Sequence, residues 1–160
     1  MQVFIMRHGD AALDAASDSV RPLTHCGCDE SCQMARWLET QSVNIERVLV
    51  SPYLRAQQTL AKVREGLTLP AGETVLPELT PGGNPAKVTT EIQALAVQGV
   101  EAVLVISHLP LVGYLVSELC PHESPPMFAT SAIARIDYDA QAAQGKLEWQ
   151  VSPSKLAKAM

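Results

Sequence analysis

Two histidines and two arginines of this chain stand at or just beyond the ends of short apolar runs, and together they carry the chemistry of an oxyanion site. Arg7-His8-Gly9 follows Val3-Phe4-Ile5-Met6, Arg55 comes soon after Arg47-Val48-Leu49-Val50, and Ser107-His108 closes the apolar stretch 101–106. A guanidinium brings a fixed charge and a planar fork of donors that matches phosphate oxygens. An imidazole beside it is suited to accept a phosphoryl group. Each residue also has a plainer reading on its own. Arg7 can cap a strand end with His8 an ordinary loop histidine, Arg55 can be a solvated helix arginine, and His108 can be a satisfied strand-end histidine. Arg21 can pair with Asp18 at the surface or add a secondary phosphate contact.

The elements that must position these groups follow from hydrophobic periodicity and turn residues. Residues 2–6 read as a buried strand and 7–23 as a loop rich in Asp, Ala and Ser. Thr24 is a plausible N-cap for a helix over 25–40, where Met34, Trp37 and Leu38 share a face. A second buried strand spans 47–50. Pro52 fits the first turn of a helix running to about Glu65, stopped by Gly66. A short strand near Val75, a loop over 77–85, a helix over 86–98, a strand over 101–106 and a helix from Pro110 to about Leu119 continue the alternation. Residues 130–138 and 146–151 read as a hairpin around Gln144-Gly145, and Pro153 onward as an exposed tail. Residues 1–160 are thus expected to form one domain, an α/β three-layer sandwich. Its central sheet is mostly parallel, with helices on both faces and an antiparallel hairpin at the C-terminal end. In such a sheet His8, Arg55 and His108 share the edge formed by the carboxyl ends of the strands, where open α/β folds bind ligands. Two arginines, two histidines and two helix N-termini converging there make an anion pocket suited to phosphate.

Composition narrows the function classes. The chain has 160 residues, 47% hydrophobic and 18% charged, so it has the means to fold. Aromatics are 4%, which predicts an aliphatic core. A net charge of -5 gives no support to a general nucleic-acid surface. No apolar run is long enough to span a bilayer, and the N-terminus lacks a signal peptide, so a cytoplasmic location is expected; a monomer is the expected state, though no residue pattern fixes it. The four cysteines, Cys26, Cys28, Cys32 and Cys120, need no disulfides in that compartment. His25-Cys26-Gly27-Cys28 with Cys32 lacks the paired knuckles of structural zinc and reads as part of a helix. Neither metal nor cofactor is expected.

Arg7-His8-Gly9, the segment Ser51-Pro52-Tyr53-Leu54-Arg55-Ala56-Gln57-Gln58-Thr59, and Ser107-His108 resemble the three signatures of the histidine phosphatase (phosphoglycerate mutase-like) superfamily. Arg21-Pro22-Leu23-Thr24 with Gly27 resembles a further element of that family, so the likeness spans residue 1 to about 115. The short length and near absence of insertions look most like its phosphohistidine phosphatase branch. The resemblance implies a hydrolase in which His8 is the nucleophile, forming a phosphohistidine that water then hydrolyses. It implies that Arg7, Arg55 and His108 hold the phosphoryl oxygens, in place of a metal. Neighbouring guanidinium groups are expected to depress the pKa of His8 and keep it neutral.

The chain departs from the family pattern where many members place an acid after the third strand, because that register reads Leu79-Thr80-Pro81. Glu78 is the nearest candidate proton donor and Asp18 a weaker one. Both also read as surface carboxylates. The usual His-Gly of the last signature is His108-Leu109. General acid catalysis contributes about 10²–10⁴ in rate. An alkyl phosphate needs it, whereas imidazole titrates near neutrality and can leave already protonated. Phosphohistidine is therefore the easier substrate. Family members acting on small metabolites often carry a cap between the positions of Arg55 and His108. Its absence predicts an open site suited to a partner protein, such as the histidine phosphotransfer domain of a two-component phosphorelay, a partner the resemblance supplies. The alternatives are a phosphomonoesterase acting on a small phosphorylated metabolite with Glu78 as acid, a mutase, and a non-catalytic phosphate-binding module.

Overall fold

The computed structural model describes residues 1–159. Its centre is a pair of parallel strands, β1 (Gln2–Arg7) and β4 (Ala102–Ser107), in register so that Arg7 lies opposite Ser107. Both strands are covered on both faces, which is why each reads as an unbroken apolar run. Strand β2 (Arg47–Val50) pairs in parallel with β4 and with the two-residue β3 (Thr74–Val75). On the other side β5 (Ile133–Asp139) runs antiparallel to β1 and pairs with β6 (Gln144–Val151), giving the sheet order β3-β2-β4-β1-β5-β6.

Because side chains alternate along a strand, β1 and β4 feed two separate cores. Phe4, Met6, Leu104 and Ile106 pack with Met34 and Leu38 of α1 (His25–Glu39) and Leu60 and Val63 of α2 (Leu54–Arg64). Val3, Ile5, Val103 and Val105 pack on the other face with Ile92 of α3 (Pro85–Val97) and Leu115 and Leu119 of α4 (Leu111–Leu119). This is the three-layer α/β arrangement expected. Thr24 caps α1, accepting from Gly27 N at 3.0 Å, and Asn84 caps α3 ahead of Pro85. No helix among the described residues is long and apolar enough to cross a membrane.

Three local expectations need correction. Helix α2 begins at Leu54, not in the turn of Pro52; Ser51 Oγ accepts from Tyr53 N at 3.1 Å, and Pro52 lies in the bend so formed. The hairpin turns over residues 140–143, where Ala143 takes φ 51°, and Gln144-Gly145 open β6 instead. Gly145 is there for space: a Cβ would come within 2.7 Å of Ile136 Cγ2 and 2.9 Å of Leu119 O. Residues from Pro153, expected as a tail, form α5 (Pro153–Ala159), whose Leu156 is 9% exposed and joins the α1 side of the core. One apolar residue in a polar segment carries no periodic signal, so only tertiary packing reveals that helix.

Candidate active site

Parallel strands ending side by side deliver their next residues to one place. His8 N donates to Ser107 O at 3.0 Å and Ser51 N to Ile106 O at 3.1 Å, so His8, Ser51 and His108 leave the sheet along a single edge. The two histidine rings lie 5.0 Å apart. Arg55, in the first turn of α2, donates from Nε to His8 Nε2 at 3.3 Å.

Hydrogen bonding fixes the form of both rings. The Gly9 carbonyl can only accept, so His8 Nδ1, 2.7 Å away, carries the ring proton and Nε2 keeps its lone pair. Burial (6% exposed) is the main force pushing His8 down to about 4; the Gly9 bond opposes it, and the charges of Arg55, Arg7 and Arg21 add to it. The arginines thus act in the expected direction, but second to desolvation. His108, 1% exposed, is pushed down to about 3, first by burial and then by His8 and Arg55. Its Nε2 lies 2.7 Å from Ser51 Oγ. Tyr53 N also donates to that oxygen, and in the tautomer where the hydroxyl proton points to His108 Nε2 the ring proton sits on Nδ1. Among the described residues, His108 Nδ1 and Arg7 Nε are buried side-chain nitrogens with no hydrogen-bond partner. In that tautomer Arg7 Nε and His108 Nδ1 are unspent donors, and the neutral His8 ring presents Nε2 as an acceptor met by Arg55 Nε alone. That combination can attack phosphorus and hold the oxygens of the group it takes.

The loop after β1 is held by side chains from distant parts of the chain. Gly9 N donates to Thr59 Oγ1 at 2.9 Å, and Thr59 Oγ1 donates to Arg55 O at 2.8 Å. A Cβ on Gly9 would lie 2.8 Å from Gly27 O, and one on Gly27 would overlap the Asp10 carbonyl. The glycines of two separate motifs are thus one close-packed contact. Arg7 is anchored by Nη1 to Phe128 O at 2.9 Å and by its backbone N to Ala132 O at 3.1 Å. Ser131, at φ 63°, donates its backbone N to His8 O at 3.1 Å.

Arg21 joins the cluster through a carboxylate. Its Nη1 donates to Asp18 Oδ1 at 3.1 Å, and Arg55 Nη2 donates to Asp18 Oδ2 at 3.2 Å. Those two arginines hold Asp18 below the usual carboxylate range, the Arg21 bond being the largest cause, so it is an anion and an acceptor and not an acid. Glu78 accepts from Asn84 N at 3.1 Å with Lys87 Nζ at 3.7 Å, and has no contact with His8, Arg55 or His108 among its hydrogen bonds and ion pairs. Its neighbour Leu79 accepts from Ser107 Oγ at 2.6 Å. The residues His25, Cys26, Cys28 and Cys32 lie along α1, and no group of three or more His, Cys, Asp or Glu among the described residues could hold a metal ion. The sequence names Ser51 and Thr59 only as ends of the signature segment, with no role assigned, and gives no sign of the backbone of 128–132. Thr59 stands one helical turn after Arg55, a spacing that could have revealed it; nothing marks 128–132.

Residues 3–80 match the family model of the histidine phosphatase superfamily (branch 1). The chain is 65% identical over 162 residues to the phosphohistidine phosphatase SixA of Escherichia coli (strain K12), with 100% of each chain covered. It is 38% identical over 146 residues to the SixA homolog of Haemophilus influenzae, with 87% of this chain and 89% of that one covered. A solved structure of the protein histidine phosphatase SixA complexed with tungstate superposes with a TM-score of 0.96 at 65% identity, covering 98% of this chain and 99% of that one.

Proposed function

The chain belongs to the histidine phosphatase superfamily, and from that premise we propose that it is a phosphohistidine phosphatase acting on a partner protein, the histidine phosphotransfer domain of a two-component phosphorelay. The carrying observation is the state of His8, with Nδ1 donating to Gly9 O and an unprotonated Nε2 accepting from Arg55 Nε. Nε2 attacks phosphorus as the P–N bond to the substrate histidine breaks. A substrate ring protonated on its other nitrogen leaves as neutral imidazole, taking the electron pair with it and needing no proton from the enzyme. Phospho-His8 is then itself an imidazolium, because Gly9 O keeps Nδ1 protonated. Water attacks it, the electron pair of the P–N bond returns to Nε2, and the water's protons stay on the departing phosphate. Neither step calls on Glu78, consistent with its engagement at α3.

Arg7, Arg55 and His108 meet the charge on the phosphoryl oxygens through a loose transition state, where positioning and electrostatics supply most of the catalysis. The oxyanion in the tungstate complex of the 65% identical relative supports a phosphate-like ligand here. Within the described residues α2, β3, a 3-10 turn, α3 and β4 account for the fold between Arg55 and His108, with α3 packed on the core and no inserted cap, which favours a protein-borne substrate.

The test is rapid-quench trapping after brief mixing with a phosphorylated phosphotransfer domain. Acid-labile phosphate on His8, absent in His8→Gln, is the expected result. Turnover no faster than on small phosphate esters would sink the partner assignment, and label on any other residue would sink the mechanism.

A further inference from the structure

Every nitrogen of the Arg55 guanidinium is already engaged. Nε faces His8 Nε2 at 3.3 Å, Nη1 donates to Asp18 O at 2.6 Å, and Nη2 donates to Asp18 Oδ2 at 3.2 Å. The second carboxylate oxygen, Oδ1, takes Arg21 Nη1 at 3.1 Å, and Arg21 is moored in turn by Nε to Ala12 O at 2.7 Å. One carboxylate therefore bridges two arginines, and one guanidinium bridges that carboxylate to His8. The Arg55 side chain is 4% exposed and that of Asp18 55% exposed, so the acid stands at the rim over a buried cation. It belongs to a short 3-10 turn, Asp18–Val20, with no buried residue. Such a turn can shift without disturbing the core.

We propose that Asp18 is a built-in anion, a specificity-determining residue that an incoming phosphoryl group must displace from Arg55 and Arg21. The inference rests on the reading of this pocket as a phosphohistidine phosphatase site. Phosphoryl oxygens and the Asp18 carboxylate compete for the same donors, and their like charges repel. A small phosphate compound breaks two charge-assisted contacts and offers only its own oxygens in exchange. A phosphoryl group on a folded partner brings further docking contacts, so the same exchange is a smaller fraction of its binding. Asp18 thereby tilts the site away from small phosphate compounds, and away from retention of product phosphate, by a repulsive element and not by an added attraction.

The experiment compares wild type with Asp18→Asn and Asp18→Ser, two variants in an exposed turn, each checked by its thermal unfolding midpoint. Inorganic phosphate affinity is measured by calorimetry. Steady-state kinetics are run with a small phosphoramidate and with a phosphorylated phosphotransfer domain. Losing an exposed charge shared by two arginines is expected to tighten phosphate by about tenfold. KM for the phosphoramidate should fall by a similar factor, while the protein substrate changes less. Phosphate binding unchanged or weakened in both variants, with wild-type turnover of phosphohistidine intact, overturns the proposal alone and makes Asp18 a positioning residue for Arg55. A wild type without phosphohistidine turnover overturns the reading beneath it as well.

Discussion

Mild acid should destabilise this protein through the two rings that its active site keeps neutral. His8 and His108 have pKa values pushed down to about 4 and about 3, against an ordinary value of 6.5 in the unfolded chain. A group depressed by folding takes its proton first in the unfolded state. Above about pH 7 neither state is protonated, and the histidines leave stability unaffected. From about pH 6.5 down to about pH 4 the unfolded chain binds protons that the native one refuses, so stability falls with pH across that window. At about 1.4 kcal/mol per unit, each histidine removes about 2 kcal/mol between about pH 7 and about pH 5. The rings lie 5.0 Å apart and a charge on one opposes a charge on the other, so they titrate as a pair. Asp18 does not blur the window. Its lowered value gives stability that is present above about pH 4 and lost only below it. Urea unfolding midpoints of wild type, His8→Asn and His108→Asn over this range make the assay. Each variant should lose about half of the wild-type slope. A flat wild-type profile, or a slope that both variants retain, refutes burial as the origin of the neutral rings.

Gly27→Ala drives a methyl into the Asp10 carbonyl and should cost about 1–3 kcal/mol of stability, together with turnover, by thermal unfolding and single-turnover kinetics. Wild-type behaviour would mean that the two glycine motifs do not need their close contact. Thr59→Val leaves the buried Gly9 N without its acceptor and should cost about 1–3 kcal/mol, with hydrogen exchange accelerated at that amide. Arg55→Lys keeps the charge but loses the fork that meets both His8 and Asp18, so kcat should fall by about 10²–10³. A loss of under about threefold in stopped-flow measurements would show that charge alone suffices.

The sheet edge was readable because β1, β2 and β4 are short apolar runs, each ending at a chemically distinctive residue. Strand periodicity and parallel alternation then place His8, Arg55 and His108 at one edge without any knowledge of contacts. What stayed hidden depends on tertiary proximity. Asp18 and Arg21, three residues apart, read as a surface pair, while the Asp18–Arg55 bond joins segments 37 residues apart and has no local signature. Gly145 looked like turn chemistry because a glycine after Gln144 suggests a hairpin tip, yet it answers to Ile136 and the Leu119 carbonyl. The neutrality of His8 was traced first to neighbouring charge, since arginines are visible in a sequence and burial is not.

Phe128 O takes the Arg7 guanidinium, Ala132 O takes Arg7 N and Ser131 N meets His8 O, and all three come from the last quarter of the chain. A ribosome releases Arg7 and His8 long before those residues have been made. Until then β1 lacks its β5 neighbour and Arg7 lacks two anchors. The geometry around His8 is therefore complete only in a nearly finished translation product.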